Sequence, residues 1–413
     1  MAAVLYLAHR IPFPPDRGDK IRSFHMLRAI ARFTPVHVAC FADSAREMAY
    51  QGDLAAVAQS HKVVRRRKSP VSAGIEALAR GKPISLTAFY HPALAEYVTR
   101  TLAEQDISAI FCFSGQMAQY IPDDYQGRVV LDLVDVDSMK FESYAASGHG
   151  LMRRIYEREG RRLSQFEHRM ANRADVISLV SDNEAELFRQ RMAADGHKVD
   201  ERIGCIANGI DCNRYDPRHI ELAAMPNHHG SHDIIFTGQM DYPPNVTAVT
   251  HFAAHIMPTI VSAVPDARFI IAGRNPTDRV TGLHNDENII VTGEVEDIRS
   301  WLAQANIAVA PLTIARGVQN KVLEAMAMEK PVVVSAEAAT GIDAKDGEHF
   351  CIARDDAHFA ALCIDLLEHP RKAANMGVEA RRHVQDTMSW GATLARLDKI
   401  VMGDDFHICA AAS

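Results

Sequence analysis

The sequence predicts an α/β protein of two doubly wound, parallel-sheet domains, and three observations carry that prediction. Short apolar runs at strand length alternate with helix-forming stretches along nearly the whole 413 residues, which is the pattern of parallel sheets covered by helices on both faces. The alternation stops over residues 215–230, a polar, turn-rich segment without strand pattern, and restarts at Asp233. Residues 306–342 then supply one complete strand–loop–helix–strand unit. A chain of this length suggests two or three domains of about 150 residues each.

Residues 4–8 read as the first strand, followed by the loop 9–20, HRIPFPPDRGDK, and a helix over 21–32. Gly18 lets backbone approach a ligand closely. Arg17, Lys20 and Arg22 suit a phosphate or an anionic acceptor, or else are solvated loop charges. Strand runs follow at 36–41, 63–64, 107–113, 129–133 and 176–180. The run Arg65-Arg66-Arg67-Lys68 reads as a solvated edge, with contact to an anionic membrane surface as the alternative. The basic, amphipathic helix over 151–172 fits either account.

Asp132, Asp135 and Asp137 stand where the 129–133 strand ends, and polar functional groups project from such ends. Asp135-Val136-Asp137 also spells a D-x-D, the form of a metal-binding pair, and Asp135, Asp137 or Ser138 is equally placed to cap the next helix. Ser181-Asp182-Asn183-Glu184 caps a helix running through Arg191, and Asn208-Gly209 is a turn by its own chemistry.

In the second series, residues 234–238 form a strand ending in Gly238, and Gln239 and Met240 open a loop to Asn245, which caps a long helix. Strands follow at 269–273, ending in Gly273-Arg274, and at 288–293, ending in Gly293-Glu294. The decisive unit comes next. Residues 307–312 are a buried strand, 313–319 a loop with Gly317 at its turn, 320–328 a helix, and 332–334 a strand after Lys330-Pro331. In open α/β sheets ligands sit beyond the carboxyl ends of strands, and a helix N-terminus there offers free N–H groups and a positive dipole end to phosphate. Arg316 and Lys321 flank that N-terminus, and Glu324 follows one turn later. Two cations and the amides of Gly317, Val318 and Gln319 suit a diphosphate, while the carboxylate suits a sugar diol. The bland alternative for Lys321 and Glu324 is a solvated i,i+3 pair. Helices over 357–367 and 370–387 complete the series.

Composition removes several classes. A net charge of −7 argues against a general nucleic-acid binder. Seven cysteines without C-x-x-C spacing suggest neither a zinc site nor a disulfide framework, and fit a reducing, cytoplasmic setting. No run of about 20 apolar residues is present, so no membrane span is expected. No G-x-G-x-x-G follows an early strand, which disfavours a dinucleotide oxidoreductase.

The string KVLEAMAMEKPVV resembles the second half of the E-x7-E donor-site motif of GT-B glycosyltransferases of the family 4-like, group 1 kind. The resemblance runs from about Ala3 to Val401 and includes NGID at 208–211, FTGQMDYPPN at 236–245 and Ser389-Trp390. It implies two Rossmann-like domains facing a central cleft: residues 1–215 on the acceptor side, joined by a C-terminal crossover helix in 388–413, and residues 216–387 binding the donor. By this resemblance Glu324 holds the ribose, Gly18 faces the cleft and joins the diphosphate contacts, and Gly273, Arg274, Gly293 and Glu294 lie on the nucleobase side. Arg316 stands where the family has its first glutamate, and Gln239 where relatives often have a basic residue, so diphosphate contact passes to Arg316 and Lys321. Asp135, with Asp132 second, is assigned to acceptor binding or base catalysis, and no metal or other cofactor is implied. The opening HRIPFPPDRGDKIR with LVDVDS looks most like the exosortase-associated sugar transferases of exopolysaccharide systems. The implied activity is sugar transfer from a nucleoside diphosphate donor to a lipid-linked or polysaccharide acceptor. A nucleotide-sugar epimerase of the same fold and a catalytically inactive nucleotide-sugar-binding protein are the competing readings.

Overall fold

The structure, a computed structural model, describes residues 2–196, 201–222, 232–285, 287–315 and 318–403. The chain divides into two compact units, Met1–Asn208 with Thr393–Ser413, and Gly209–Ala392.

The first unit is built on a seven-stranded, all-parallel sheet. Its strands are β1 (Ala3–Ala8), β2 (Val36–Ala42), β3 (Ser60–Arg65), β4 (Ile107–Phe113), β5 (Arg128–Val134), β6 (Val176–Leu179) and β7 (Ile203–Cys205), in the spatial order β3-β2-β1-β4-β5-β6-β7. β1 and β2 are buried at every position, as expected of strands covered on both faces; β1 is apolar throughout and β2 apolar apart from His37. The three-residue β7 has no counterpart among the predicted strands. The last helix, Leu397–Met402, packs on β4, β5 and the helix Gly18–Ile30, and the Ile400 carbonyl accepts from Arg128 Nε at 2.9 Å. The C-terminal segment thus completes the first unit.

The second unit holds a six-stranded, all-parallel sheet: β8 (His232–Thr237), β9 (Ala267–Ala272), β10 (Ile289–Gly293), β11 (Ile307–Ala310), β12 (Val332–Ser335) and β13 (Cys351–Ala353), ordered β10-β9-β8-β11-β12-β13. The strand order reverses between β1 and β4 in one sheet and between β8 and β11 in the other. Those reversal points, at the carboxyl ends of the strands, are where such sheets bind ligands. The apolar stretch 243–263 is long enough to cross a membrane, but Val249, Phe252, Ile256 and Ile260 from it are fully packed into the second unit's core.

The division falls at 208/209 rather than after Tyr215, because Arg381 holds the segment to the second unit. Its guanidinium donates to the carbonyls of Tyr215 (2.6 Å), Cys212 (3.2 Å) and Ala327, and pairs with Asp216 at 3.2 Å. Gly209 is required there, since a Cβ would lie 2.5 Å from the Trp390 backbone nitrogen.

Candidate active site

The site in the second unit grows from two strand ends that nearly touch. Gly238 directly follows β8 and Gly273 directly follows β9, with φ of +155° and +156°, conformations that disfavour a side chain. A Cβ on Gly273 would sit 1.7 Å from the Gly238 carbonyl oxygen. Around this contact the loops interlock: Gly238 N donates to Ala272 O (3.2 Å), Gly273 N to Gly293 O (3.1 Å) and Met240 N to Arg274 O (2.9 Å). The Gln239 amide oxygen, oriented toward Arg274, accepts from that guanidinium. The structure therefore gathers Gly238, Gln239, Met240, Gly273, Arg274 and Gly293 into one rim. Arg274 and Glu294 are exposed on it.

Lys321 lies beneath this rim, in the first turn of the helix Asn320–Ala327 that follows β11. Its Nζ donates to Asn245 Oδ1 at 2.5 Å and sits 4.2 Å from the centroid of the Phe236 ring. Asn245 is not the helix cap expected of it, because the helix already begins at Pro243. Its Nδ2 instead donates back to the Gln239 carbonyl at 2.8 Å, fixing the Gly238 loop. Burial lowers the Lys321 ammonium to about 8, so it keeps its charge at neutral pH with one hydrogen bond and a ring face as compensation.

Glu324, one turn on, is half-buried, and burial raises its carboxyl above the ordinary range while Tyr215, Arg214 and Lys321 pull it back. The Tyr215 phenol lies close enough to this carboxyl for each to shift the other's pKa. Lys321 and Glu324 are both half-buried, unlike a freely solvated i,i+3 pair. Val318 and Gln319 lead into the helix, whereas Arg316 and Gly317 lie outside the described residues.

In the first unit, Asp132 and its neighbours part company. Asp132 has no exposed surface, and its two oxygens take Arg22 Nε (2.8 Å) and Nη2 (3.0 Å), with Ser178 Oγ at 3.0 Å. It is a structural ion, which removes it from the acid–base candidates and removes Arg22 from the phosphate-binding ones. Lys20 is likewise buried, 3.2 Å from both Glu47 and Asp16. Arg17 pairs with Asp19 at 2.8 Å. Gly18 occupies the first helical position with open space around it.

Asp135 is different. Asp135 N donates to Leu133 O at 2.9 Å across Val134, whose φ is +70°. This tight γ-turn is a strained conformation for a β-branched residue. It swings Asp135 out of the strand line, leaving its side chain 39% exposed with Lys140 Nζ at 2.9 Å. Neither Asp135 nor Asp137 caps the helix Asp137–Ser147, while Ser138 donates to Glu167. Asp137 also contacts Lys140, at 3.0 Å, and among the described residues no three His, Cys, Asp or Glu side chains gather as a metal site.

His9, at the end of β1, was not singled out by the sequence reading. It stacks on Phe113 at the end of β4, the reversal point of the first sheet, with Nε2 at 3.1 Å from Asp19 and 2.8 Å from Arg10. Nδ1 is buried without a partner, and burial lowers the ring's pKa. The only signal available was a histidine directly after a buried strand.

Residues 231–369 match the family model Glycosyl transferases group 1. That match covers the rim, Lys321 and Glu324. The chain is 27% identical over 260 residues to a GDP-mannose-dependent monoacylated alpha-(1-6)-phosphatidylinositol monomannoside mannosyltransferase of Corynebacterium glutamicum, covering 58% of this chain and 65% of that one. It is 26% identical to a GDP-mannose-dependent alpha-(1-6)-phosphatidylinositol monomannoside mannosyltransferase of Mycolicibacterium smegmatis, covering 57% and 64%. The match thus spans just under two thirds of these relatives' length. Among solved structures, Anabaena HepE in complex with UDP superposes with a TM-score of 0.61 at 14% identity, over 96% of this chain and 98% of that one. WaaG, a glycosyltransferase involved in lipopolysaccharide biosynthesis, gives 0.55 at 15% identity, over 97% and 100%. The fold is GT-B.

Proposed function

We propose that this chain transfers a glycosyl group from a nucleoside diphosphate sugar to a lipid-linked or polysaccharide acceptor in bacterial surface-glycan or exopolysaccharide assembly. The observation that carries the reading is the placement of Lys321 and Glu324. A half-buried ammonium lies under a glycine rim at a helix N-terminus, with a half-buried carboxylate one turn along that faces the Tyr215 phenol. This is a pairing of one anion-binding group with one hydroxyl-binding group on a single helical face. The names of the relatives, with a GDP-mannose donor and phosphatidylinositol mannoside acceptors, support the donor and acceptor classes.

In the transfer, the bond between the anomeric carbon and the diphosphate oxygen breaks and the acceptor oxygen forms the new glycosidic bond. Charge develops on the departing diphosphate, and Lys321, the Val318 and Gln319 amides, and Arg316 with Gly317 are assigned to stabilise it. Glu324 is assigned the ribose diol, and Gly273, Arg274, Gly293 and Glu294 the nucleobase side. Asp135 is assigned the acceptor side, as the base that takes the hydroxyl proton in an inverting transfer or as an acceptor contact in a retaining one. The chemistry is proposed to run without a metal, in the cytoplasm, at the membrane where a lipid-linked acceptor is presented.

The test is a thermal-shift panel of UDP, GDP and their sugars in the presence of a chelator. A ligand that binds only the folded state raises the melting temperature by mass action. A rise with a nucleoside diphosphate, and none with its nucleoside, is the expected result. No rise with any of them would remove the donor site.

A further inference from the structure

The first unit carries a helix whose two faces are the wrong way round for a packing element. Pro70–Arg80, started by Ser69 and Pro70 and closed by Gly81, buries only Ala73 and Ala77. Its large apolar side chains point outward: Val71 is 73% exposed, Ile75 66% and Leu78 68%. The spacing of four and three residues aligns them into one ridge. Burying Val, Ile or Leu removes far more apolar area from water than burying Ala. A helix folded only to cover the sheet would present the opposite face.

Cations surround the ridge. Residues 65–82 contain Arg65, Arg66, Arg67, Lys68, Arg80 and Lys82 against the single acid Glu76, in a chain of net charge −7. Arg66 and Lys68 are engaged, with Asp43 and Glu76, while Arg65, Arg67 and Lys82 stand exposed. The helix is tied to the helix Gly150–Ala171, because Arg158 Nη2 donates to the carbonyls of Ala77 (2.9 Å) and Lys82 (3.2 Å). Beyond Gly81 lies a groove of about 790 Å³, bordered by Arg80, Lys82, Arg162, Arg169 and Arg173. Arg162 and Arg169 are exposed in it, whereas Arg173 is paired with Asp123.

We propose that this surface docks the first unit onto an anionic phospholipid bilayer. The Val71–Ile75–Leu78 ridge enters the interfacial layer, and Arg65, Arg67, Lys82, Arg162 and Arg169 meet lipid phosphates. The occupant follows from the combination. A narrow convex ridge of three side chains suits the fluid headgroup–acyl boundary, where buried apolar area and cation–phosphate attraction add. The inference rests on the lipid-linked acceptor reading only for its biological purpose, and the surface stands whether or not sugar is transferred.

Vesicle co-sedimentation of the full chain tests it. Vesicles of phosphatidylcholine alone are compared with vesicles in which one third is phosphatidylglycerol, at low and high salt. The expected result is sedimentation with the anionic vesicles only, weakened by salt. Val71→Ser/Ile75→Ser/Leu78→Ser should lower the partition coefficient at least about tenfold, and Arg162→Glu/Arg169→Glu by a similar factor. Both variants should keep the wild-type circular dichroism melt and nucleotide thermal shift, which separates loss of docking from loss of fold or donor site. Wild-type protein that stays in the supernatant with anionic vesicles overturns the proposal. So does a ridge variant that sediments as well as wild type. If inorganic phosphate blocks the interaction at equal charge screening, the groove is instead a site for a soluble anion. If size-exclusion chromatography shows a wild-type dimer that the ridge variant dissolves, the ridge is a self-association surface.

Discussion

Lys321 Nζ donates to Asn245 Oδ1, and that hydrogen bond joins the first turns of the two helices that follow β11 and β8. Because the sheet order reverses between those strands, the bond closes the floor of the reversal point. Asn245 in turn holds the Gln239 carbonyl, so one asparagine positions both the ammonium and the Gly238 loop above it.

Removing the ammonium should therefore separate diphosphate binding from nucleoside binding. A charge-assisted hydrogen bond contributes about 1.5–3 kcal/mol, so Lys321→Met is predicted to weaken a nucleoside diphosphate roughly 10- to 150-fold. The affinity of the free nucleoside should hardly change. Titration calorimetry with the two ligands decides it, and equal losses for both would mean that Lys321 supports the loop and touches no phosphate.

The depressed ammonium adds a pH signature. Burial brings Lys321 to about 8 in the free protein, and a diphosphate would raise it again. The binding-competent form is the protonated one, so affinity should be flat below that value and fall as pH rises through it, by up to about tenfold per unit. Proton uptake on binding, seen as a dependence of calorimetric heat on buffer ionisation, should appear near pH 8 and vanish in Lys321→Met. A pH-independent affinity from 7 to 10 contradicts the assignment.

The sheets were legible in the sequence because strands buried on both faces leave apolar runs, as in β1, residues 269–272 of β9 and residues 332–334 of β12. β7 was not, since three residues carry no period. Lys321 and Glu324 were legible as candidates through local spacing at a helix start. What escaped depends on partners far away in the chain. Asp132 looked like a strand-end acid, but Arg22, 110 residues earlier, neutralises it. Tyr215 looked like part of the first domain, but Arg381, 166 residues later, holds its carbonyl to the second unit.

The Arg22–Asp132 pair predicts a stability effect free of site chemistry. Breaking a buried pair strands one charge and costs about 3–5 kcal/mol. Arg22→Met should lower the first unit's unfolding midpoint in urea accordingly, and Arg22→Met/Asp132→Leu should recover most of the loss. Nucleotide affinity should be the same in all three proteins. A single variant as stable as wild type would show that the pair relaxes into water.

Asp135 is predicted to matter for transfer and not for donor binding. Asp135→Asn keeps the shape and removes the charge that faces Lys140. For an inverting transfer, the rate should fall by about 10²–10⁴-fold, with nucleoside diphosphate affinity within a factor of about two. Lost folding, or wild-type turnover with an acceptor, would sink the role.

The last prediction concerns the phenol beside Glu324. Tyr215 lies close enough to this carboxyl to shift its pKa, so a ribose must either share the carboxylate with the phenol or displace it. Glu324→Gln should weaken ribonucleotides roughly 10- to 150-fold, the loss of one to a few charge-assisted bonds. The same change should leave a 2′,3′-dideoxy nucleotide almost unaffected, because it offers no diol. Tyr215→Phe distinguishes sharing from displacement. If the phenol is displaced, its loss frees the carboxyl and ribonucleotide affinity rises; if the two share it, affinity is unchanged or falls slightly. Calorimetry on both variants with matched ribo- and dideoxy-nucleotides reads all four combinations. An equal loss for ribo and dideoxy ligands in Glu324→Gln would assign Glu324 to holding Tyr215 and the 209–216 segment in place rather than to the sugar.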